Sequence, residues 1–304
     1  MNTIELFEKT FEKQMQKSIS SIYRFENVLN NNVFRIEAES QFYIFKIYSS
    51  GRPEDGKISF VYHKLTKNNI PHARLFVFSR EDENFPNGYS IEECLPGTTA
   101  DRLTLSEQEM VSLFEKLAVF VSRIHKIELV NYGYIGAGKP AIWTTFSECM
   151  HDILKDNAAG LIANGFINAE ELRNVNKEIC ARLKRCDVFP SVLCHGDLSS
   201  KNMLINSNQI TLIDWDDAQS LCWMADIARL TFWMKMIYSD REAAVYRKAF
   251  LDRYETSYDK NAFYEIEDTL HVWYGLDYLT FFKNGAVCEK VKSLLRDSRN
   301  KCGI

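Results

Sequence analysis

Apolar residues recur along the first third of this chain with two different spacings, and each spacing predicts a different element. At residues 4–18 they fall at helical intervals, which predicts a helix. Runs rich in aromatic and β-branched residues, bounded by turn-forming residues, predict strands. These runs lie at 20–29, 33–38, 41–48, 73–79 and 89–94. Between the third and fourth runs a helix is predicted from Glu54, just after Pro53, to Lys67.

After the fifth strand the helical spacing prevails. Helices are predicted at 107–127, 146–154, 169–186 and over most of 229–301. Strands followed by a longer run of helices indicate an α+β fold.

One stretch, residues 192–216, interrupts the helical part with short apolar runs separated by polar residues. Short apolar runs, separated by a polar turn at 206–209, bring Asp197, Asn202 and Asp214 to the ends of short strands. A carboxylate can orient a hydroxyl and accept its proton, and carboxylate and amide oxygens can hold Mg²⁺ against phosphates. Any of these acids alone would be interpreted as a turn or helix-capping residue. All three in this order instead outline a phosphoryl-transfer site, with Asp197 as the base and Asn202 and Asp214 as metal ligands.

The spacing of this site resembles a known family. Residues 195–202 read His-Gly-Asp-Leu-x-x-x-Asn, Asp214 stands in Ile-Asp-Trp where protein kinases have D-F-G, and Asp226 begins Asp-Ile-Ala. These motifs are similar to those of the aminoglycoside phosphotransferase and choline kinase family. The resemblance implies a bilobal protein-kinase-like fold. Residues 1–95 would form a nucleotide-binding lobe with an antiparallel sheet, ending in a hinge, and 96–304 a larger helical lobe with the catalytic loop and acceptor site.

The resemblance also implies nucleotide-binding roles in the first lobe. Lys46 is similar to the kinase lysine that binds the α- and β-phosphates, although alone it would be interpreted as an outward-facing strand residue. Asn32 would lie in a turn that covers the phosphates, and a plain hairpin turn is an equally good interpretation. At the hinge, the C=O of Glu93 and the N–H of Leu95 would pair with the purine edge, which leaves ATP and GTP undistinguished.

The helix partner of this lysine departs from the family pattern. The family's lysine pairs with a glutamate on the next helix, and residues 57–59, where we expect it, contain none. Glu54 heads the apolar stripe of the predicted helix, so Glu54 is the candidate partner of Lys46. The alternative is that Glu54 only favours the positive end of the helix dipole.

Three neighbours of the site residues have subsidiary expectations. His195 is expected to brace the loop through hydrogen bonds rather than act as the base. Asp216 either assists the metal or shapes its loop. Cys194 stands beside His195, but adjacent residues of a strand point to opposite faces, which argues against a thiol mechanism.

The helical C-terminal region would set the choice of acceptor, as the resemblance implies. Carboxylates there could bind a polycationic aminoglycoside, and aromatic rings could face a quaternary ammonium or an apolar drug. The candidate residues are Glu265, Glu267, Asp268, Trp273, Tyr274, Asp277 and Tyr278. For each one alone, a solvated helix face or the helical core is the simpler interpretation.

Composition limits the class of protein. With 46% hydrophobic and 26% charged residues and a net charge of −4, the 304-residue chain is typical of a globular protein and gives no indication of nucleic-acid binding. Its charged N-terminus does not resemble a signal peptide, and no apolar run is long enough to span a membrane. The eight cysteines form no C-x-x-C pair, which fits reduced thiols and a cytoplasmic location.

The combined expectation is a Mg²⁺-dependent phosphotransferase that uses ATP or GTP, a monomer or homodimer that acts on a small-molecule hydroxyl. An aminoglycoside-type antibiotic is the first choice of acceptor, and choline, a sugar, an amino alcohol or a macrolide is the alternative. A protein acceptor is disfavoured because 214–226 is too short for a protein-kinase activation segment. A non-catalytic nucleotide-binding relative is the third hypothesis, and loss of the base or a metal ligand would mark it.

Overall fold

The N-terminal part of the molecule is an antiparallel sheet. The computed structural model describes residues 3–26, 31–80, 82–136, 141–207 and 209–304. The strands are β1 (Ile19–Arg24), β2 (Asn32–Ala38), β3 (Gln41–Ile47), β4 (Leu75–Ser79) and β5 (Tyr89–Glu93). They are ordered β1-β2-β3-β5-β4, and every neighbouring pair is antiparallel. The predicted strands are therefore confirmed, except that the first ends at Arg24, and residues 27–29 of that prediction lie outside the described residues.

An aromatic cluster covers one face of this sheet and thereby fixes the face of Lys46. Helix α1 (Thr3–Met15) places Phe7 on Phe34, with ring centroids 4.5 Å apart. Tyr43 and Phe45 of β3 belong to the same buried cluster. Because side chains alternate along a strand, Lys46 points to the opposite face of the sheet.

Helix α2 (Lys57–Lys67) begins three residues later than the sequence predicts. Gly56 adopts a left-handed conformation with φ 70°, which cannot continue a right-handed helix toward Glu54. Glu54 therefore precedes the helix and does not head its apolar stripe.

The remainder of the chain is mainly helical, as predicted. The helices are α3 (Glu107–Ile124), α4 (Phe146–Asp156), α5 (Ala158–Ala163), α6 (Ala169–Leu183), α7 (Trp223–Ile237), α8 (Asp240–Arg253), α9 (Asn261–Phe281) and α10 (Gly285–Cys302). The described residues also include short strands β6 (Thr98–Thr99), β7 (Gly133–Tyr134), β8 (Val192–Cys194), β9 (Met203–Asn206), β10 (Gln209–Leu212) and β11 (Gln219–Leu221). They form two small sheets, ordered β10-β9-β6 and β7-β11-β8.

Asp226, in the first turn of α7, holds the loop that follows β8. Its Oδ2 accepts the His195 N–H at 2.6 Å, and its Oδ1 accepts the Gly196 N–H at 2.9 Å. His125 Nε2 lies 3.2 Å from the same Oδ2. A buried carboxylate that receives several hydrogen bonds is a rigid anchor, so the backbone before Asp197 is fixed by α7.

Helices α7 and α9 pack closely and bury a histidine between them. His271 is fully buried, with Nε2 2.9 Å from Thr231 Oγ1 and Nδ1 3.1 Å from Lys235 Nζ. Burial lowers the pKa of His271 to about 3, and the nearby Lys235 ammonium acts in the same direction against the carboxylate of Glu267. Asp268 and Arg247 are the other charged groups near this ring.

Among the described residues, no helix has both the length and the apolar character that a membrane crossing requires.

Gly196→Ala should destabilise the fold more than Gly285→Ala. Both glycines have positive φ, 77° and 85°, which costs an alanine about 1–2 kcal/mol. A Cβ on Gly196 would lie 1.9 Å from the Asp217 carbonyl oxygen, whereas a Cβ on Gly285 meets nothing within 4 Å. Urea unfolding of both variants measures the difference, and equal losses of free energy would contradict the close approach.

The buried histidine should make stability pH-dependent. Between pH 6.5 and about 3 the unfolded His271 binds a proton that the folded ring does not, so stability rises with pH and this contribution is complete above 6.5. From about pH 7.5 to about pH 5 the native chain should therefore lose about 2 kcal/mol more than His271→Gln. Urea titrations at both pH values test this, and parallel losses in the two proteins would contradict it.

Candidate active site

Lys46 forms the centre of the site. It is 7% exposed, and its Nζ lies 2.8 Å from Asp214 Oδ1 and 2.9 Å from Asp216 Oδ2. Burial opposes the charge of Lys46, but the two carboxylates outweigh it and raise its pKa well above the usual value. One ammonium does not fully compensate both carboxylates. Burial raises the pKa of Asp216 to about 7, whereas at Asp214 the Lys46 charge outweighs desolvation and lowers the pKa.

Asp214 follows β10 in an unusual backbone conformation. Its φ of 63° lies in the left-handed region, which a residue other than glycine adopts at a cost of about 1–2 kcal/mol. Its side chain is 47% exposed, so the carboxylate remains accessible beside Lys46. The N–H of Ile213 donates to the carbonyl of Asn202 at 3.0 Å, which ties this strained residue to the preceding loop.

Asp197 and Asn202 lie side by side. Asn202 Nδ2 donates to Asp197 Oδ2 at 2.9 Å and to its main-chain oxygen at 2.9 Å. Arg229 Nη2 of α7 lies 3.4 Å from Asp197 Oδ1. Burial raises the pKa of Asp197, and the Arg229 guanidinium counteracts it. Because the Asn202 amide makes both of these hydrogen bonds through its nitrogen, its oxygen is directed away from Asp197 and is available as a ligand.

His195 uses both ring nitrogens within the protein. Nδ1 accepts the Asp197 N–H at 3.2 Å, and Nε2 lies 3.0 Å from the Ile213 carbonyl oxygen, to which it donates. This pattern assigns the Nε2–H tautomer. A ring with both nitrogens engaged supports the loop, and Asp197 is the group that faces outward.

The structure corrects the predicted partner of Lys46. Glu54 Oε2 forms an ion pair with Lys57 Nζ at 2.6 Å, and the carboxylates on Lys46 are those of Asp214 and Asp216. The reason is the late start of α2, which places Glu54 in the turn before the helix. Desolvation acts to raise the pKa of Glu54, but the Lys57 ammonium more than compensates and lowers it.

The expected nucleotide-binding residues have different surroundings. Asn32 is exposed and accepts a hydrogen bond from Arg24 Nη2 at 2.7 Å. Its neighbour Asn31, which was not singled out, has Nδ2 3.4 Å from Asp216 Oδ2. Glu93 ends β5 and Leu95 follows it, so both lie where the sheet connects to the helical part. Their roles toward a purine remain predictions.

The acidic candidates for acceptor binding do not form one surface. Glu265 is exposed and pairs with Arg185 at 2.5 Å, whereas Glu267 is buried and pairs with Arg247 at 2.5 Å. Asp268 lies 3.7 Å from Lys235. Each of these three acids is therefore paired with a different cation.

Asp277, nine residues after Asp268 on α9, is the acid of this set on which the charge of Arg229 acts. Its Oδ1 accepts a hydrogen bond from Asn157 Nδ2 at 2.7 Å. Burial raises the pKa of Asp277 to about 6, although the charges of Arg229 and Arg52 act to lower it. Asp277 therefore belongs to the same charged environment as Arg229.

The aromatic candidates are largely engaged inside the protein. Trp273 is buried and its Nε1 donates to the Met150 carbonyl at 2.8 Å. Tyr274 and Tyr278 already face a cation, because the Arg229 guanidinium carbon lies 5.8 Å and 5.4 Å from their ring centres.

Two residues of this site, Lys57 and Arg229, were missed by the sequence analysis. Lys57 is a lysine within an apolar helix face, and Arg229 is a cation in the mostly apolar α7, three residues after Asp226. A charged residue within an otherwise apolar helix could have identified both residues, as the charge within an apolar strand identified Lys46.

The architecture resembles solved phosphotransferase structures. A thermostable mutant of aminoglycoside phosphotransferase APH(4)-Ia, in a ternary complex with AMP-PNP and hygromycin B, has a TM-score of 0.70 at 16% identity, covering 97% of this chain and 96% of that one. A putative fructosamine-3-kinase from Haemophilus somnus 129PT has a TM-score of 0.68 at 14% identity, covering 96% of each chain. The streptomycin–ATP complex of APH(2")-IIa has a TM-score of 0.65 at 15% identity, with 98% of each chain covered. At such identities the likeness establishes the fold, which is the predicted α+β, bilobal protein-kinase-like one.

The sequence itself gives the family. No curated protein matches the chain. Residues 22–264, most of the 304, match the model of the phosphotransferase enzyme family, and this range includes Lys46, Asp197, Asn202 and Asp214. The chain therefore belongs to the phosphotransferase enzyme family.

Proposed function

We propose that this protein transfers the γ-phosphoryl group of ATP or GTP to a hydroxyl of a small molecule, with Mg²⁺. The observation that carries the proposal is one connected set of contacts. Lys46 binds Asp214, the residue before Asp214 bonds to Asn202, and Asn202 bonds to Asp197. A phosphate-binding cation, two metal-ligand types and a base are thereby held together, which is the set that phosphoryl transfer needs.

In this proposal Asp197 orients the acceptor hydroxyl and accepts its proton. The hydroxyl oxygen forms a bond to the γ-phosphorus as the bond between that phosphorus and the leaving diphosphate oxygen breaks. Lys46 compensates charge on the phosphates, and the Arg229 guanidinium keeps the carboxylate of Asp197 ionised against burial. Catalysis then comes chiefly from positioning and charge compensation.

The residues present suit a magnesium ion. Asp214 has an accessible carboxylate, and Asn202 offers an amide oxygen. Asp216 Oδ1 is buried without a hydrogen-bond partner among the described residues, which leaves one more oxygen in need of a cation or donor. Oxygen ligands of this type are those that Mg²⁺ prefers, and the ion would neutralise the phosphate charge.

An aminoglycoside-type antibiotic remains the first acceptor to test, and such an acceptor would make the protein an antibiotic-resistance enzyme. The similar structures bind hygromycin B and streptomycin. In this chain Asp217 and Asp277 lie close enough to Arg229 and to each other to influence one another's charge, so carboxylates are available near the base. A cytoplasmic site of action fits the free cysteines.

The alternatives have weaker support. Choline or another quaternary ammonium lacks its expected aromatic site, because Tyr274 and Tyr278 already hold Arg229. Sugars, amino alcohols and macrolides need no such site and stay in the test panel. A non-catalytic nucleotide-binding role is disfavoured because the base and both metal ligands are present.

The first test is nucleotide consumption with Mg²⁺, using ATP and GTP separately, against aminoglycosides, macrolides, choline, amino alcohols and small sugars. Asp197→Asn should lower kcat by at least about 100-fold, because a general base is lost, and should leave nucleotide affinity nearly unchanged. Asp252→Asn is the matched control, since Asp252 is exposed on α8 and, among the residues that the structure describes, forms its ion pair with Lys248 of the same helix. Undiminished turnover by Asp197→Asn would refute the assignment.

Asp214→Asn should remove the effect of magnesium on nucleotide binding. With the carboxylate lost, the protein keeps too few anionic oxygens to hold the ion against the phosphates. Calorimetric nucleotide titrations with Mg²⁺ and with EDTA measure the effect. The native protein should bind more tightly with Mg²⁺, and a variant that retained the same ratio of affinities would show that Asp214 is not a metal ligand.

A further inference from the structure

Helix α2 begins with a buried lysine that the proposed chemistry does not use. Lys57 is 2% exposed, and its Nζ lies 2.6 Å from Glu54 Oε2 and 3.2 Å from the main-chain oxygen of Asp216. Burying an ammonium is unfavourable unless it is paired and hydrogen-bonded. These two contacts satisfy Lys57 and link the start of α2 to the loop after β10.

The second of these contacts acts on the surroundings of Lys46. The carbonyl that Lys57 holds belongs to Asp216, and the Asp216 carboxylate lies 2.9 Å from Lys46 Nζ. Lys57 therefore restrains the backbone from which this carboxylate extends. A shift of α2 or loss of its ammonium would release that carbonyl and loosen the anion beside Lys46.

The negative charge near Lys46 comes from elements other than α2. Asp214 and Asp216 lie after β10, and Glu92 of β5 is a third carboxylate whose charge acts on Lys46. Helix α2 contributes donors instead: Lys57, and Tyr62, whose OH donates to Glu92 Oε2 at 2.7 Å. In kinases the helix supplies an acid to the strand lysine, whereas in this chain the helix supplies a lysine and a tyrosine hydroxyl, and the acids come from other elements.

We propose that Lys57 is a positioning residue for nucleotide binding: anchored by Glu54, it holds Asp216, and through Asp216 it keeps Lys46 directed at the phosphates. This inference rests on the proposed function and specifies how one helix supports that site. In this arrangement Glu54 acts on Lys57 and does not itself touch the nucleotide.

The test compares Lys57→Met with Lys67→Met. Methionine keeps most of the length of the side chain and removes its charge, and Lys67 is an exposed lysine at the other end of the same helix. Affinity for ATP with Mg²⁺ is measured by calorimetry, and kcat and both KM values are measured with the acceptor that the panel identifies. Thermal unfolding of each variant reports on folding.

Lys57→Met should weaken nucleotide binding by about tenfold and raise the nucleotide KM in proportion, while the acceptor KM changes by less than about twofold. Lys67→Met should match the native protein. Glu54→Gln should give a smaller loss, since Lys57 keeps its bond to the Asp216 carbonyl. The double variant Glu54→Gln with Lys57→Met should bind no more weakly than Lys57→Met alone, because the two residues act in series.

If Lys57→Met bound nucleotide as tightly as Lys67→Met does, the inference would be overturned, whether or not Lys57→Met also unfolds at a lower temperature. If Lys57→Met does not fold, Glu54→Gln gives the decision: unchanged nucleotide affinity would overturn the inference, and a measurable loss would support it. A native protein that binds no nucleotide would instead overturn the proposed function. The two failures are therefore distinguishable.

Discussion

The structure depends on the burial of one ammonium, Lys46, between two carboxylates that follow β10. A charge in a strand of aromatic and aliphatic residues is tolerated only when partners reach it. Those partners come from a loop about 170 residues away in the sequence, so the pairing joins the N-terminal sheet to the helical part of the molecule. The cost of leaving Lys46 unpaired thus favours the arrangement in which Asp214 lies beside Lys46, the proposed phosphate-binding residue.

This constraint also explains the strain at Asp214 and the rigidity around it. A left-handed backbone at a residue other than glycine persists only where its surroundings fix it. Here the Lys46 ion pair fixes the side chain, and the bond from the Ile213 N–H to the Asn202 carbonyl fixes the backbone. Asp226 then holds the other end of the catalytic loop through two main-chain N–H groups. Under the proposed function, Asp197 as base and Asn202 and Asp214 as metal ligands would thus be in place before substrate binds, which would limit the reorganisation that catalysis requires.

Sequence reasoning succeeded where local spacing carries the information. The strands and most helices follow from apolar periodicity, and the order of Asp197, Asn202 and Asp214 locates the loop that brings these residues together. It failed at Glu54 because the partner of a charge is decided by tertiary geometry. The left-handed Gly56 delays the helix, and a loop distant in sequence supplies the carboxylates on Lys46. Glu267 shows the same limit, since its partner Arg247 lies on a different helix.

The surroundings of Asp197 depend on a second charged group, Arg229. Its guanidinium lies against Tyr274 and Tyr278 and 3.4 Å from Asp197. An acceptor that brought its own cation to these rings would have to displace Arg229, and Asp197 would then lose the charge that opposes its protonation. A hydroxyl delivered without such displacement keeps the base ionised. In the proposed function, the aromatic rings of α9 therefore support Asp197 through Arg229, which leaves the proposed recognition of the acceptor to neighbouring groups such as Asp277.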